Sequence, residues 1–111
     1  LKIKKYDINR LSLNDRATNA QIDYDTISYP LTLRNFNRGE KFIPLGMKKS
    51  KKISDYLSNK KVSKIDKLKQ CVISDSNNEI IWLVGYQIND SFKISNNTKT
   101  VLDFEIFLTK V

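Results

Sequence analysis

Apolar and polar residues alternate from the first position. Leu1, Ile3 and Lys5 fall on one side of an extended segment, and Lys2, Lys4 and Tyr6 on the other. That period of two predicts a short, half-exposed strand. From Asn9 to Asn19 the only large apolar residues are Leu11 and Leu13, which predicts loop with a short strand. Ala20, Ile22 and Tyr24 alternate with Gln21 and Asp23 and predict a second strand. Tyr29-Pro30 is a break. Leu31 and Leu33 then alternate with Thr32 and Arg34. With the leucines turned to a core, Arg34 is expected to face solvent.

Gly39, Pro44 and Gly46 predict irregular chain over 35–49. Ser50 is placed to cap a helix. Ile53, Tyr56 and Leu57, at i, i+3 and i+4, predict a short amphipathic helix over 51–59. Ser63-Lys64-Ile65-Asp66 has the capping pattern of a second helical turn. The last third reads as β. Cys71 to Ser74 and Glu79 to Tyr86 flank Asp75-Ser76-Asn77-Asn78, a hairpin signal. Ile80 to Val84, with Trp82, is apolar on both faces and predicts a central strand. Leu102, Phe104, Ile106 and Leu108 alternate with Asp103, Glu105 and Phe107 and predict a long closing strand. No segment repeats. The expected architecture is α+β, with mostly antiparallel, sandwich-like sheets and one or two short helices inserted centrally.

Composition narrows the function classes. A chain of 111 residues suits one domain, 1–111. Leu, Ile, Val and Phe supply 34 of those residues, enough for a folded core. One Cys and no His exclude an internal disulfide framework, most zinc sites, and Ser-His-Asp or Cys-His nucleophiles. No apolar run approaches the ~20 residues of a membrane span. No signal peptide opens the sequence, so a cytoplasmic setting is expected.

The net charge is +8, but Lys, Ile and Asn fill 40 positions, a bias that A/T-rich codons produce. The distribution of charge therefore says more than its total. Residues 1–33 carry five basic and four acidic side chains. Residues 34–69 carry twelve basic and three acidic, and residues 70–111 three basic and five acidic. One segment thus holds a surplus of nine positive charges between near-neutral flanks. That asymmetry points to a polyanion-binding face within 31–69. Lys51 and Lys52 fall in the expected first helical turn, where cations oppose the helix dipole. Two readings stand: they bind an external anion, or they are exposed lysines at a small cost.

Several short motifs fail on spacing. Gly46, Lys48, Lys49 and Ser50 suggest a phosphate loop, but six residues separate Gly39 from Gly46 where four are needed. Ser58 and Lys61 have S-x-x-K spacing without its companion motifs. Asn89-Asp90-Ser91 and Asn96-Asn97-Thr98 are glycosylation sequons, irrelevant without secretion. Cys71 and Trp82 read as core residues, with a base-stacking platform the other reading of Trp82, and Phe36 and Phe42 read as loop anchors, with stacking on unpaired bases the alternative.

Residues 31–57, LTLRNFNRGEKFIPLGMKKSKKISDYL, resemble the C-terminal domain of tRNA(Ile)-lysidine synthetases. The shared pattern is Leu33-Arg34 ending a strand, Gly39-Glu40, Pro44-Leu45-Gly46, then Lys51-Lys52-Ile53. It runs on through Lys61-Val62, Ile80 to Gly85, and Phe92-Lys93, and reaches back to 22–25. Phe36 replaces a second arginine frequent in the family, Glu40 a usual aspartate, and Ser63 and Cys71 common prolines.

The resemblance implies a fold related to a module of the phenylalanyl-tRNA synthetase β chain. It also implies a tRNA-binding fragment of a ligase that joins lysine to the wobble cytidine of the isoleucine tRNA with a CAU anticodon. The family's catalytic domain uses ATP with magnesium through an SGG-x-D-S loop, which this sequence lacks. No cofactor is therefore expected in this chain. The implied partner is that tRNA, held on its acceptor-stem side, with lysine and ATP as substrates of the whole enzyme and no membrane partner. Phosphate contacts are expected from Arg34, Arg38, Lys41, Lys48, Lys49, Lys51 and Lys52. The arginines suit bidentate bonds and the lysines act as point charges. Two other classes fit the charge pattern alone: a stand-alone RNA- or DNA-binding module, and a docking module for an anionic membrane or an acidic protein.

Overall fold

The alternating segments pair into two antiparallel sheets, with a small third ribbon beside them. A computed structural model describes residues 1–13 and 16–106. In the first sheet β9 (Thr100–Glu105) lies between β1 (Lys2–Asp7) and β2 (Asn19–Asp23). In the second, β3 (Thr32–Asn35), β6 (Cys71–Ser74), β7 (Ile80–Leu83) and β8 (Gln87–Ile88) lie side by side in that order. The ribbon is β4 (Lys41–Phe42) against β5 (Lys51–Lys52). Two short helices follow it, α1 (Ile53–Asn59) and α2 (Lys64–Lys69). The architecture is α+β and mostly antiparallel, as the pattern predicts.

Two hydrophobic cores make three layers. The first lies between the sheets and joins Ile22 of β2, Leu102 and Phe104 of β9, and Ile73, Trp82 and Ile88 of the second sheet. Trp82 stacks on Phe104 with ring centroids 5.8 Å apart. The second core lies on the far side of the second sheet. There Val72, Ile80 and Leu83 pack against Phe42 of the ribbon and Ile53 and Leu57 of α1. Both faces of β7 are therefore covered and all four of its residues are buried, which is why its sequence reads as a continuous apolar run. Phe42 is buried and Phe36 half-buried in this second core. Both anchor the basic segment, as expected for aromatics among lysines. Cys71 is half-buried rather than fully buried.

Several expectations need correction. The short strand expected within 9–19 is absent among the described residues. A 3-10 turn, Ile8–Arg10, stands there instead. The leucines of 31–33 keep the side of the first core, but Arg34 does not face solvent. Arg34 pairs with Val72, on the side of the sheet that carries the second core, and is half-buried. Leu33 pairs with Ile73 but sits on an edge strand, where it stays 53% exposed. Ser50 caps nothing. The residue at the helix N-cap is Lys52, which makes no side-chain cap bond, and Lys51–Lys52 is strand, not first turn. Ser63 does cap α2, accepting the Asp66 N–H at 3.1 Å. Asn89 is buried, donating to the Ile80 carbonyl at 2.8 Å and accepting from Ser91 N–H at 3.0 Å. Strand β9 ends at Glu105; Phe107 and Leu108 lie outside the described residues.

Candidate nucleic-acid interface

The basic segment is built around two tight turns and one ribbon. The Glu40 N–H bonds the Asn37 carbonyl at 3.1 Å, closing a turn with Gly39 at φ +84°. The Met47 N–H bonds the Pro44 carbonyl at 2.9 Å, with Gly46 also at φ +84°. Such turns need positive φ at their third residue, which explains both glycines. The first turn exposes Arg38 at its tip; the second opens the loop that exposes Lys48 and Lys49. The loop's base is tied to the body by three contacts. Pro44 bridges Asn89, the Asp90 N–H donates to the Ile43 carbonyl at 2.7 Å, and the Gly46 N–H donates to Asp90 Oδ1 at 2.9 Å. The bond from Gly46, and the ammonium of Lys93 beside it, hold the Asp90 carboxyl below the usual aspartate range.

In the ribbon Lys41 stands directly opposite Lys52, and Phe42 opposite Lys51. Residues opposite each other share a face, and successive residues alternate. Phe42 turns to the second core, so Lys41 and Lys52 point the other way, and both are exposed. Lys51 shares the Phe42 side and is half-buried. A directly opposed like-charge pair is destabilising by about 0.2–1 kcal/mol. Among the described residues no acidic side chain pairs with either lysine. The lysines of β1 are arranged differently. Lys2 stands opposite Glu105 and Lys4 opposite Asp103. These two lysines thus stand opposite carboxylates, whereas those of the ribbon stand opposite each other.

Arg34 has another environment. Its Nη1 and Nη2 donate to Glu40 Oε1 and Oε2, each at 2.7 Å. Nη1 also donates to the Asn35 carbonyl at 3.1 Å, Nη2 to Asn78 Oδ1 at 3.1 Å, and Nε to Ser74 Oγ at 3.2 Å. All five guanidinium N–H groups have partners inside the chain. The guanidinium holds the Glu40 carboxyl below the usual glutamate range, against the opposing pull of burial. Sequence reasoning did not single out Glu40, Ser74 or Asn78 for this role. One signal was available: Glu40 is the only acidic residue between positions 34 and 54.

The structure therefore groups Arg38, Lys41, Lys48, Lys49 and Lys52 as exposed cations on the turns and ribbon, with Lys51 half-buried and Arg34 engaged internally. Among the described residues no three His, Cys, Asp or Glu side chains converge to hold a metal ion. No helix among them is long and apolar enough to cross a membrane.

Comparison with known proteins bears on the family and the fold. Residues 31–104 match the model of the TilS substrate C-terminal domain. The chain is 45% identical over 83 residues to a tRNA(Ile)-lysidine synthase of Parabacteroides distasonis, a match covering 75% of this chain and 19% of that protein. The chain thus spans about a fifth of that relative's length. A crystal structure of a TilS C-terminal domain superposes with a TM-score of 0.75 at 18% identity, over 92% of this chain and 80% of that one. An N-terminal fragment of the phenylalanyl-tRNA synthetase β-subunit from Pyrococcus horikoshii superposes with a TM-score of 0.64 at 21% identity, over 77% and 26%. These two share the fold. With two thirds of its length matched from β3 to β9, the chain belongs to the TilS substrate C-terminal domain family.

Proposed function

We propose that residues 1–111 form a tRNA-binding module of a cytoplasmic tRNA(Ile)-lysidine synthase. The observation that carries this reading is the Lys41–Lys52 face, unpaired among the described residues, beside the turns bearing Arg38, Lys48 and Lys49. A pair of opposed lysines without a carboxylate partner costs stability unless an anion lies between or above them. Phosphate is the anion that a polyanion-binding face meets repeatedly, and the phosphates of a duplex acceptor arm are read by charge and shape. Such contacts fix register and orientation rather than sequence. The module's task is thus to hold the isoleucine tRNA with a CAU anticodon while its wobble cytidine is modified elsewhere.

The chemistry of the whole enzyme, joining lysine to that cytidine at the expense of ATP with magnesium, lies outside this chain. The residues here do not suit an ATP–magnesium site. The SGG-x-D-S loop is missing, and no cluster of carboxylates converges among the described residues.

The test is titration of the chain with an isoleucine tRNA transcript at several salt concentrations, beside vesicles rich in phosphatidylserine. About four phosphate contacts give a slope of log K against log[salt] of roughly −3 to −4, borrowing the B-DNA coefficient. Binding to tRNA with that slope, and more weakly to vesicles, supports the reading. Equal or stronger binding to vesicles, or no binding to tRNA, contradicts it.

A further inference from the structure

We infer that Arg34 and Glu40 act as a positioning strut, one that sets the geometry of the phosphate-binding face without touching RNA. This rests on the function proposed above. The strut joins four parts of the chain. Arg34 sits in β3, and its Nε and Nη2 reach Ser74 and Asn78 at the β6–β7 hairpin. Glu40 closes the turn that carries Arg38, because its Oε1 also accepts the Asn37 N–H at 2.6 Å. The Glu40 carbonyl accepts the Ile53 N–H at 3.0 Å, fixing the start of α1 directly after Lys52. Lys41 follows Glu40 in sequence. The one carboxylate residue thus fixes the chain next to Arg38, Lys41 and Lys52 at once. A guanidinium is suited to this role, since its planar fork matches a carboxylate through two parallel bonds.

Direct phosphate binding by Arg34 would require breaking at least part of this set. A conventional electrostatic view and the strut give opposite signs for one substitution. Glu40→Gln removes a negative charge beside the basic face and one of the two acceptor oxygens that the Arg34 fork bonds. Electrostatics alone makes tRNA binding tighter. The strut makes it weaker, because the turn that carries Arg38 and leads into Lys41 loses its paired bonds to Arg34 and its spacing from Lys52 is no longer fixed. With a slope of about 0.9 per contact, each lost contact lowers affinity roughly eightfold at 0.1 M salt and reduces the slope's magnitude by about 0.9.

The experiment titrates isoleucine tRNA into the unmodified chain, Glu40→Gln, and Lys41→Gln with Lys52→Gln, each with a melting curve. Arginine side-chain N–H resonances of the unmodified chain are followed in the same titration. The strut is supported when Glu40→Gln stays folded, binds more weakly and loses slope, while the Arg34 N–H resonances stay in place on RNA addition. It is overturned when Glu40→Gln binds as tightly or more tightly while the lysine variant weakens. It is equally overturned when the Arg34 N–H resonances move with RNA saturation, and this second readout decides if Glu40→Gln does not fold. Failure of the unmodified chain to bind tRNA overturns the proposed function itself, and with it the strut.

Discussion

Neutralising the opposed ribbon lysines should move stability and binding in opposite directions. The perturbation is Lys41→Gln with Lys52→Gln, which keeps side-chain length and removes both charges. The two residues face each other across β4 and β5 with no carboxylate partner among the described residues. Relieving that repulsion stabilises the fold by about 0.2–1 kcal/mol. For a domain of this size the gain raises Tm by a few degrees at most. Exposed charges are screened over about 10 Å at 0.1 M salt, so the gain should be largest at low ionic strength. On the RNA side, two lost phosphate contacts reduce the slope of log K against log[salt] by about 1.8 in magnitude. At 0.1 M salt that is a loss of roughly sixtyfold in affinity. The assays are thermal melts at two salt concentrations and tRNA titrations across a salt series. A variant that binds as tightly as the unmodified chain at every salt would show that the ribbon lysines do not contact phosphate. A large loss of stability would mean instead that the lysines hold the ribbon together.

Other outcomes follow from the same structure. Trp82→Ala should cost about 3–5 kcal/mol in denaturant unfolding, because the side chain is 1% exposed and stacked on Phe104; a cost under about 1 kcal/mol would contradict the first core as drawn. Ser63→Ala removes the cap of α2, worth about 1 kcal/mol, but α2 buries none of its residues. Faster amide exchange confined to 64–69 is therefore expected, with Tm almost unchanged. Tyr6 and Tyr29 are each pushed up to about 12, chiefly by burial, with a hydrogen bond to Asp103 adding to the effect at Tyr6. In the unfolded chain both ionise near 10, so between about pH 10 and 12 the unfolded state binds fewer protons and stability falls as pH rises. Melts across that window should show the fall, reduced in Tyr6→Phe; a flat profile counts against it. Given ATP, lysine and tRNA, the chain should release no AMP above background, and activity at stoichiometric protein would overturn its reading as a binding module.

Much of the fold was legible because its signals are local. The run around Trp82 shows burial on both faces, Asp75-Ser76-Asn77-Asn78 marks the hairpin, and Ile53, Tyr56 and Leu57 mark α1. What could not be read depends on residues far apart in sequence. Lys51 and Lys52 look like a first helical turn until Lys41 and Phe42, ten residues earlier, pair with them. Leu33 has the phase of a core residue, but its strand is an edge, and the partner that fixes Arg34 lies in a turn six residues on. Strand β8 has two residues, too few to show any period. The charge distribution located the basic segment. Only the fold separates cations that face outward from the one already engaged by Glu40.

Whether the ribbon and its two turns meet RNA is tested by amide chemical-shift mapping of the chain during titration with isoleucine tRNA. Shifts are expected to concentrate in 37–41 and 46–52, with the outer face of the β1–β9–β2 sheet unmoved. Shifts concentrated instead on Lys2, Lys4, Gln21 and Asp103, or none at saturating tRNA, would contradict that expectation.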